Sequence, residues 1–76
     1  MPDEQAGVVK VIELVGSSPN SFSDAVRSAV KTASRTIRNI TGVDVISSNA
    51  EVGSDGELTL YKVNVKLAFL VDSADD

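Results

Sequence analysis

Cysteine and histidine are both absent from this chain of 76 residues. Without cysteine there are no disulfides and no thiolate metal sites. Without histidine the chain lacks the usual general base, the usual zinc ligand and the side chain that switches near neutral pH. No apolar run approaches the roughly 20 residues of a membrane-spanning helix. The opening residues, MPDEQ, are too acidic and polar to read as a signal peptide. The location expected from these absences is cytoplasmic, and Asn39-Ile40-Thr41 then fits a glycosylation sequon by chance. Positive charge is scarce as well. Seven bases stand against eleven acids, a net charge of −4, which argues against general nucleic-acid binding.

What is present is enough for one small domain over residues 1–76, with an ordered core over about 8–71 and acidic ends, 1–6 and 72–76, that read as frayed. A domain of this size buries only about 60 % of the surface its unfolded chain exposes. Small domains compensate with disulfides, a metal or partners. With no cysteine and no metal motif, oligomerisation is the remedy left.

The segment VVKVIELV, 8–15, is β-branched and bounded by Gly7 and Gly16, so a strand is expected there. Both of its alternating faces are largely apolar, as if both were covered. GSSPN, 16–20, has the composition of a loop. Ser21 can cap a helix, and Asp24 falls near the positive end of its dipole. Phe22, Ala25, Val26, Ala29, Val30, Ala33, Ile37 and Ile40 then follow the helical period as one buried stripe. The three alanines let the helix lie close to a sheet. The opposite side carries Arg27, Lys31, Arg35 and Arg38.

Residues 43–52 alternate as a second strand, GSDG at 53–56 is a turn, and 57–71 is the strongest strand in the chain. The expected class is α+β: a β-α-β-β protomer whose last two strands form a long antiparallel hairpin. A helix of about 18 residues spans roughly 27 Å, while a strand of about 15 residues spans roughly 50 Å. One helix cannot cover that sheet. Exposed apolar strands invite partners, so self-assembly is expected to complete the core.

Chemical motifs are few. The basic stripe reads as a solvated face rather than a phosphate site. Asp55 and Glu57 flank Gly56 without the spaced acids of an EF-hand. Calcium needs six to eight oxygen ligands, so a single carboxylate per chain joins a site only where several chains meet. Glu13, inside an apolar strand, reads as a paired interface charge before a metal ligand. GSSP matches no phosphate loop, and no nucleophile–base pair is visible. Tyr61 falls on the apolar face of its strand as a packed aromatic. An enzyme is not expected.

The segment VVKVIELVGSSPNSFSDAVRSAVKTASRTIRNI, followed by a hairpin ending LYKVNVKLAF, resembles the dodecin family, and the resemblance covers residues 8–71. It implies an antiparallel sheet wrapped around one helix and a hollow homododecamer of cubic symmetry built from trimers. In flavin-binding dodecins a tryptophan at the start of the second strand stacks on the isoalloxazine ring. A glutamine beside the tyrosine of the third strand bonds the ring edge. Aligning RNITGVDV and LYKVNV places Gly42 and Lys62 at these two positions, and the chain has no tryptophan. Lysine cannot accept a hydrogen bond as an amide does.

The resemblance is therefore greater to the tryptophan-lacking branch, which includes proteins described as calcium dodecins. The expected function is binding or storage of a small ligand or metal ion with a degenerate flavin site. Calcium is the first candidate, though no ligand residue matches by motif. The alternative is a flavin store for FMN, FAD or riboflavin that uses a modified pocket. Gly42 itself, after the last expected helical turn, reads as a helix C-cap.

Overall fold

A computed structural model describes residues 7–71, and the acidic ends 1–6 and 72–76 lie outside the described residues. Strand β1 (Val8–Ser18) leads into helix α1 (Phe22–Ala33), followed by strands β2 (Ile40–Val52) and β3 (Leu58–Val71). The sheet is antiparallel with order β1-β3-β2. The strongest strand of the sequence is thus the central one, with neighbours on both edges.

The side chains of β3 divide cleanly between two faces. Val63, Val65 and Leu67 are fully buried beneath the helix and form the core with Ala25, Ala29 and Ala33. Full burial of one such aliphatic side chain contributes about 1.5–3 kcal/mol. Ile12 and Leu14 of β1 pack against the same cluster. The alanine stripe lets the helix settle directly on the strands, so closely that Gly16 beneath it has no room for a side chain. A β-carbon there would stand 2.5 Å from the Ala25 carbonyl oxygen and 2.8 Å from the Ala29 β-carbon. Tyr61 lies on this face too, edge-on to Phe22 with ring centroids 4.9 Å apart.

The helix starts where the sequence places it. The Ser21 hydroxyl accepts from the Asp24 N–H at 3.0 Å. The buried Ser18 hydroxyl donates to the Asp24 carboxylate at 2.7 Å and ties the end of β1 to the first helical turn. The hairpin turn also agrees: Gly53 donates to the Glu57 carbonyl at 2.8 Å, and Gly56 takes φ +85°.

Four boundaries differ from expectation. First, α1 ends at Ala33, after 12 residues. Ser34 caps it, and Thr36 and Ile37 both donate to the Ala33 carbonyl. Ile37 still packs on the core, but from a turn. Ile40 keeps the helical spacing yet pairs opposite Phe69 in the sheet. Second, Gly42 is not a helix C-cap. It lies inside β2 opposite Ala68, next to a bulge, and the left-handed residue that redirects the chain is Asn39, with φ 64°. Third, Gly16 to Ser18 continue β1 rather than opening a loop, because Gly16 fits beneath the helix. Fourth, Arg35 and Arg38 lie beyond the helix, so the basic stripe is not one helical face.

The mismatch between helix and sheet is larger than the sequence implies. Twelve helical residues span about 18 Å, against about 46 Å for β3. The chain extends over 57 × 21 × 15 Å with a radius of gyration of 15.8 Å. A compact chain of this length has a radius near 11 Å. The second face of β1, Val9, Val11 and Val15, is exposed. No described element of the protomer covers it.

Candidate functional site

The face of the sheet away from the helix brings the two sequence-assigned positions onto one surface. Its rows run across the strands. Val11, Ala68 and Gly42 form one row; Glu13, Lys66 and Asp44 the next; then Val15, Asn64 and Ser47; then Ser17, Lys62 and Asn49. A bulge at Ile46 restores the facing of β2 between the second and third rows. The surface therefore changes character along its length. It is apolar beside Gly42, charged around Lys66, and polar from Asn64 to Lys62.

Gly42 lies at the apolar end. A β-carbon built on it meets nothing within 4 Å. Beside it is a hollow of about 340 Å³ lined by Val11, Gly42, Val43, Asp44, Lys66 and Ala68. Nothing flat lines it. Phe22 belongs to the helix, and Tyr61 and Phe69 project to the helix side of β3. With no tryptophan in the chain, these are all its aromatic residues. This surface therefore has no ring on which a planar ligand can stack.

Lys62 lies six residues from Ala68 along β3, about 20 Å from the Gly42 row. Its ammonium group bonds the Glu51 carboxylate at 3.2 Å, the one ion pair among the described residues. The neighbouring Asn64 donates to the Ser47 hydroxyl at 3.1 Å. One protomer thus places Gly42 and Lys62 on one face without bringing them together, and it engages Lys62 with its own strand partner.

The described carboxylates of one protomer do not make a calcium site. Among the described residues, no group of three or more potential ligands converges. Glu13 and Asp44 stand on either side of Lys66 in the register. Glu51 holds Lys62, Asp24 accepts from Ser18, and Asp55 accepts from the Glu57 N–H at 3.0 Å. The cross-strand place of Glu13 beside Lys66 was not legible in the sequence, because the register between β1 and β3 depends on all eleven of their paired residues. The charge distribution is also uneven. Asp3, Glu4, Asp72, Asp75 and Asp76 lie outside the described residues, so the described part carries all seven bases and six of the eleven acids. No described helix is long and apolar enough to cross a membrane.

Known proteins share this arrangement. The family model described as Dodecin matches residues 8–72. The calcium dodecin of Mycobacterium tuberculosis is 34 % identical over 62 residues, covering 82 % of this chain and 86 % of its own. The solved dodecin of Streptomyces coelicolor superposes with a TM-score of 0.85 at 32 % identity, covering 90 % of this chain and 96 % of that one. A structure of the M. tuberculosis calcium dodecin is described as a calcium-chelating antigen with a novel calcium-binding site. It gives a TM-score of 0.75 at 30 % identity, covering 88 % of this chain and 94 % of that one. Matched along the whole of its described β-α-β-β fold, the chain belongs to the Dodecin family.

Proposed function

We propose that this chain is a non-enzymatic binding and storage protein that works as a homododecamer built from trimers, with its flavin-stacking position degenerate. The observation that carries this reading is Gly42. It opens on an apolar hollow with no aromatic residue on that face of the sheet. Loss of a stacking ring removes about 1–3 kcal/mol per contact. The Lys62–Glu51 pair supports the same conclusion, since it occupies the position that a flavin-binding relative gives to an amide.

The uncovered sheet supports the assembly. Val9, Val11 and Val15 on β1 and Val43, Val45 and Ile46 on β2 are all exposed in the protomer. That much apolar surface is characteristic of an interface. Within the assembly the ligand is a metal ion or small molecule, with calcium the first candidate by likeness to the M. tuberculosis protein. Because no carboxylates converge among the described residues of one protomer, calcium would be held by acids of several copies.

Titration of the assembled protein with FMN, followed by flavin fluorescence, tests the degenerate site. No quenching at micromolar FMN is expected, and quenching there would overturn it. Calorimetry with calcium on metal-free protein tests the ion, and the absence of heat at millimolar calcium removes it. Light scattering should give the mass of a dodecamer. The second reading, a flavin store with a modified pocket, draws on the 340 Å³ hollow itself, and the same titration decides it.

A further inference from the structure

The two ends of the protomer differ in both charge and cover. Beyond the Ser18–Tyr61 pair, β1 stops and only β2 and β3 continue, with Glu51 opposite Leu60 and Val52 opposite Leu58. A two-stranded ribbon is marginal by itself in water. Val52 is 63 % exposed and Leu58 46 % exposed. The turn beyond them carries Asp55 and Glu57, and no lysine or arginine occurs between Arg38 and Lys62. The tip is therefore apolar on its flank and acidic at its end.

The opposite pattern lies where the helix stops. Val30, Ser34, Ile37, Arg38, Asn39 and Ile40 line a hollow of about 490 Å³. Val30, Ile37 and Ile40 are half-buried and make its apolar floor, while Arg38 and the nearby Arg35 are exposed. Neither arginine has an acid partner among the described residues. We propose that the β2–β3 hairpin tip of one copy docks in this hollow of a second copy. Val52 and Leu58 would lie on its aliphatic floor, and Asp55 and Glu57 against Arg35 and Arg38.

The chain's own end is the competing occupant. Strand β3 finishes at Val71, which lines a neighbouring hollow together with Arg38 and Phe69. The residues that follow, DSADD, match the cationic rim but contain no large apolar side chain for the floor. The tip matches both. Its contact joins two different surfaces, and within the trimers proposed above it would run head to tail around a closed ring. It also gives the ribbon the cover that one protomer lacks.

This contact rests on the self-assembly proposed above, and the absence of cysteine makes it directly testable. Ser54→Cys on the tip and Ser34→Cys at the hollow are prepared separately in the full chain, mixed under conditions that allow subunit exchange, and oxidised. The expected result is a disulfide between the two variants and none within either alone. The double variant should give a ladder of linked chains. Asp55→Lys with Glu57→Lys should reduce the assembled fraction at least ten-fold in light scattering. Adding Arg35→Glu and Arg38→Glu should restore it. Intact assembly after tip reversal, with no disulfide in the mixture, overturns the contact while leaving self-assembly standing. Loss of assembly on removing residues 72–76, with tip reversal silent, assigns the hollow to the chain's own end and likewise overturns it. A wild-type monomer would instead overturn the self-assembly on which the contact depends.

Discussion

Gly42 and Lys62 share the outer face of the sheet, yet three rows of the β3 register separate them, about 20 Å. The two are not one pocket within a protomer. A planar ligand that touched both would have to lie between copies. Within a protomer the two substitutions are independent, whereas a ligand lying between copies couples them in binding. Gly42→Trp is sterically free, since nothing lies within 4 Å of its β-carbon. Aromatic residues also suit strands. The substitution should raise FMN affinity about ten-fold in a fluorescence titration, the equivalent of about 1.4 kcal/mol. An unchanged titration would mean that the hollow itself has diverged from a flavin site.

Lys62→Gln should be nearly silent for stability. The pair it breaks with Glu51 is 3.2 Å long, but the two side chains are 33 % and 55 % exposed. Ion pairs of that exposure contribute about 1 kcal/mol or less. Urea unfolding should therefore shift little. Flavin affinity should rise further only when Gly42→Trp is also present. A large loss of stability would show instead that the ion pair holds the hairpin together.

Gly16→Ala should be costly despite adding a single carbon. The new atom would meet the Ala25 carbonyl oxygen at 2.5 Å and the Ala29 β-carbon at 2.8 Å, so the helix must move away from β1. Overpacking of this kind costs about 1–3 kcal/mol. The thermal midpoint of the protein should fall by several degrees. An unchanged midpoint would show that the helix can lift without losing contact with Val63 and Val65.

That glycine also shows where the sequence runs out. The helix start was legible because Ser21, Asp24 and the alanine stripe are local signals, and Tyr61 was legible from the alternation of β3. The helix end was not. Ile37 and Ile40 keep the helical period, and the outcome is set by contacts distant in sequence: Ile40 opposite Phe69, and the Leu70 N–H donating to the Asn39 carbonyl at 3.0 Å. Gly16 resembled a strand stop because its true constraint is a helix passing overhead. For the candidate site, the two positions were nominated by the family resemblance and by no local signal. The bulges of β2 shift its alternation between Val45 and Ser47, so which face each residue takes emerged only with the register.

The junction of β1 and α1 gives the last prediction. The Ser18 hydroxyl is buried and donates to Asp24 at 2.7 Å, while it accepts from the Asn20 N–H at 2.9 Å. Asp24→Ala leaves that hydroxyl without its acceptor and removes an acid from the first helical turn. An unmet buried donor costs about 1–3 kcal/mol, and the lost dipole interaction adds about 0.3–1 kcal/mol. Ser18→Ala removes the donor itself, but it frees the Asn20 N–H and should cost about 1 kcal/mol. The double variant should then be less destabilised than the sum of the two, by about 0.5 kcal/mol or more, because the groups are in direct contact. Strict additivity in a urea-unfolding cycle would show that Ser18 and Asp24 act separately. The helix would then be held to β1 by its alanines alone.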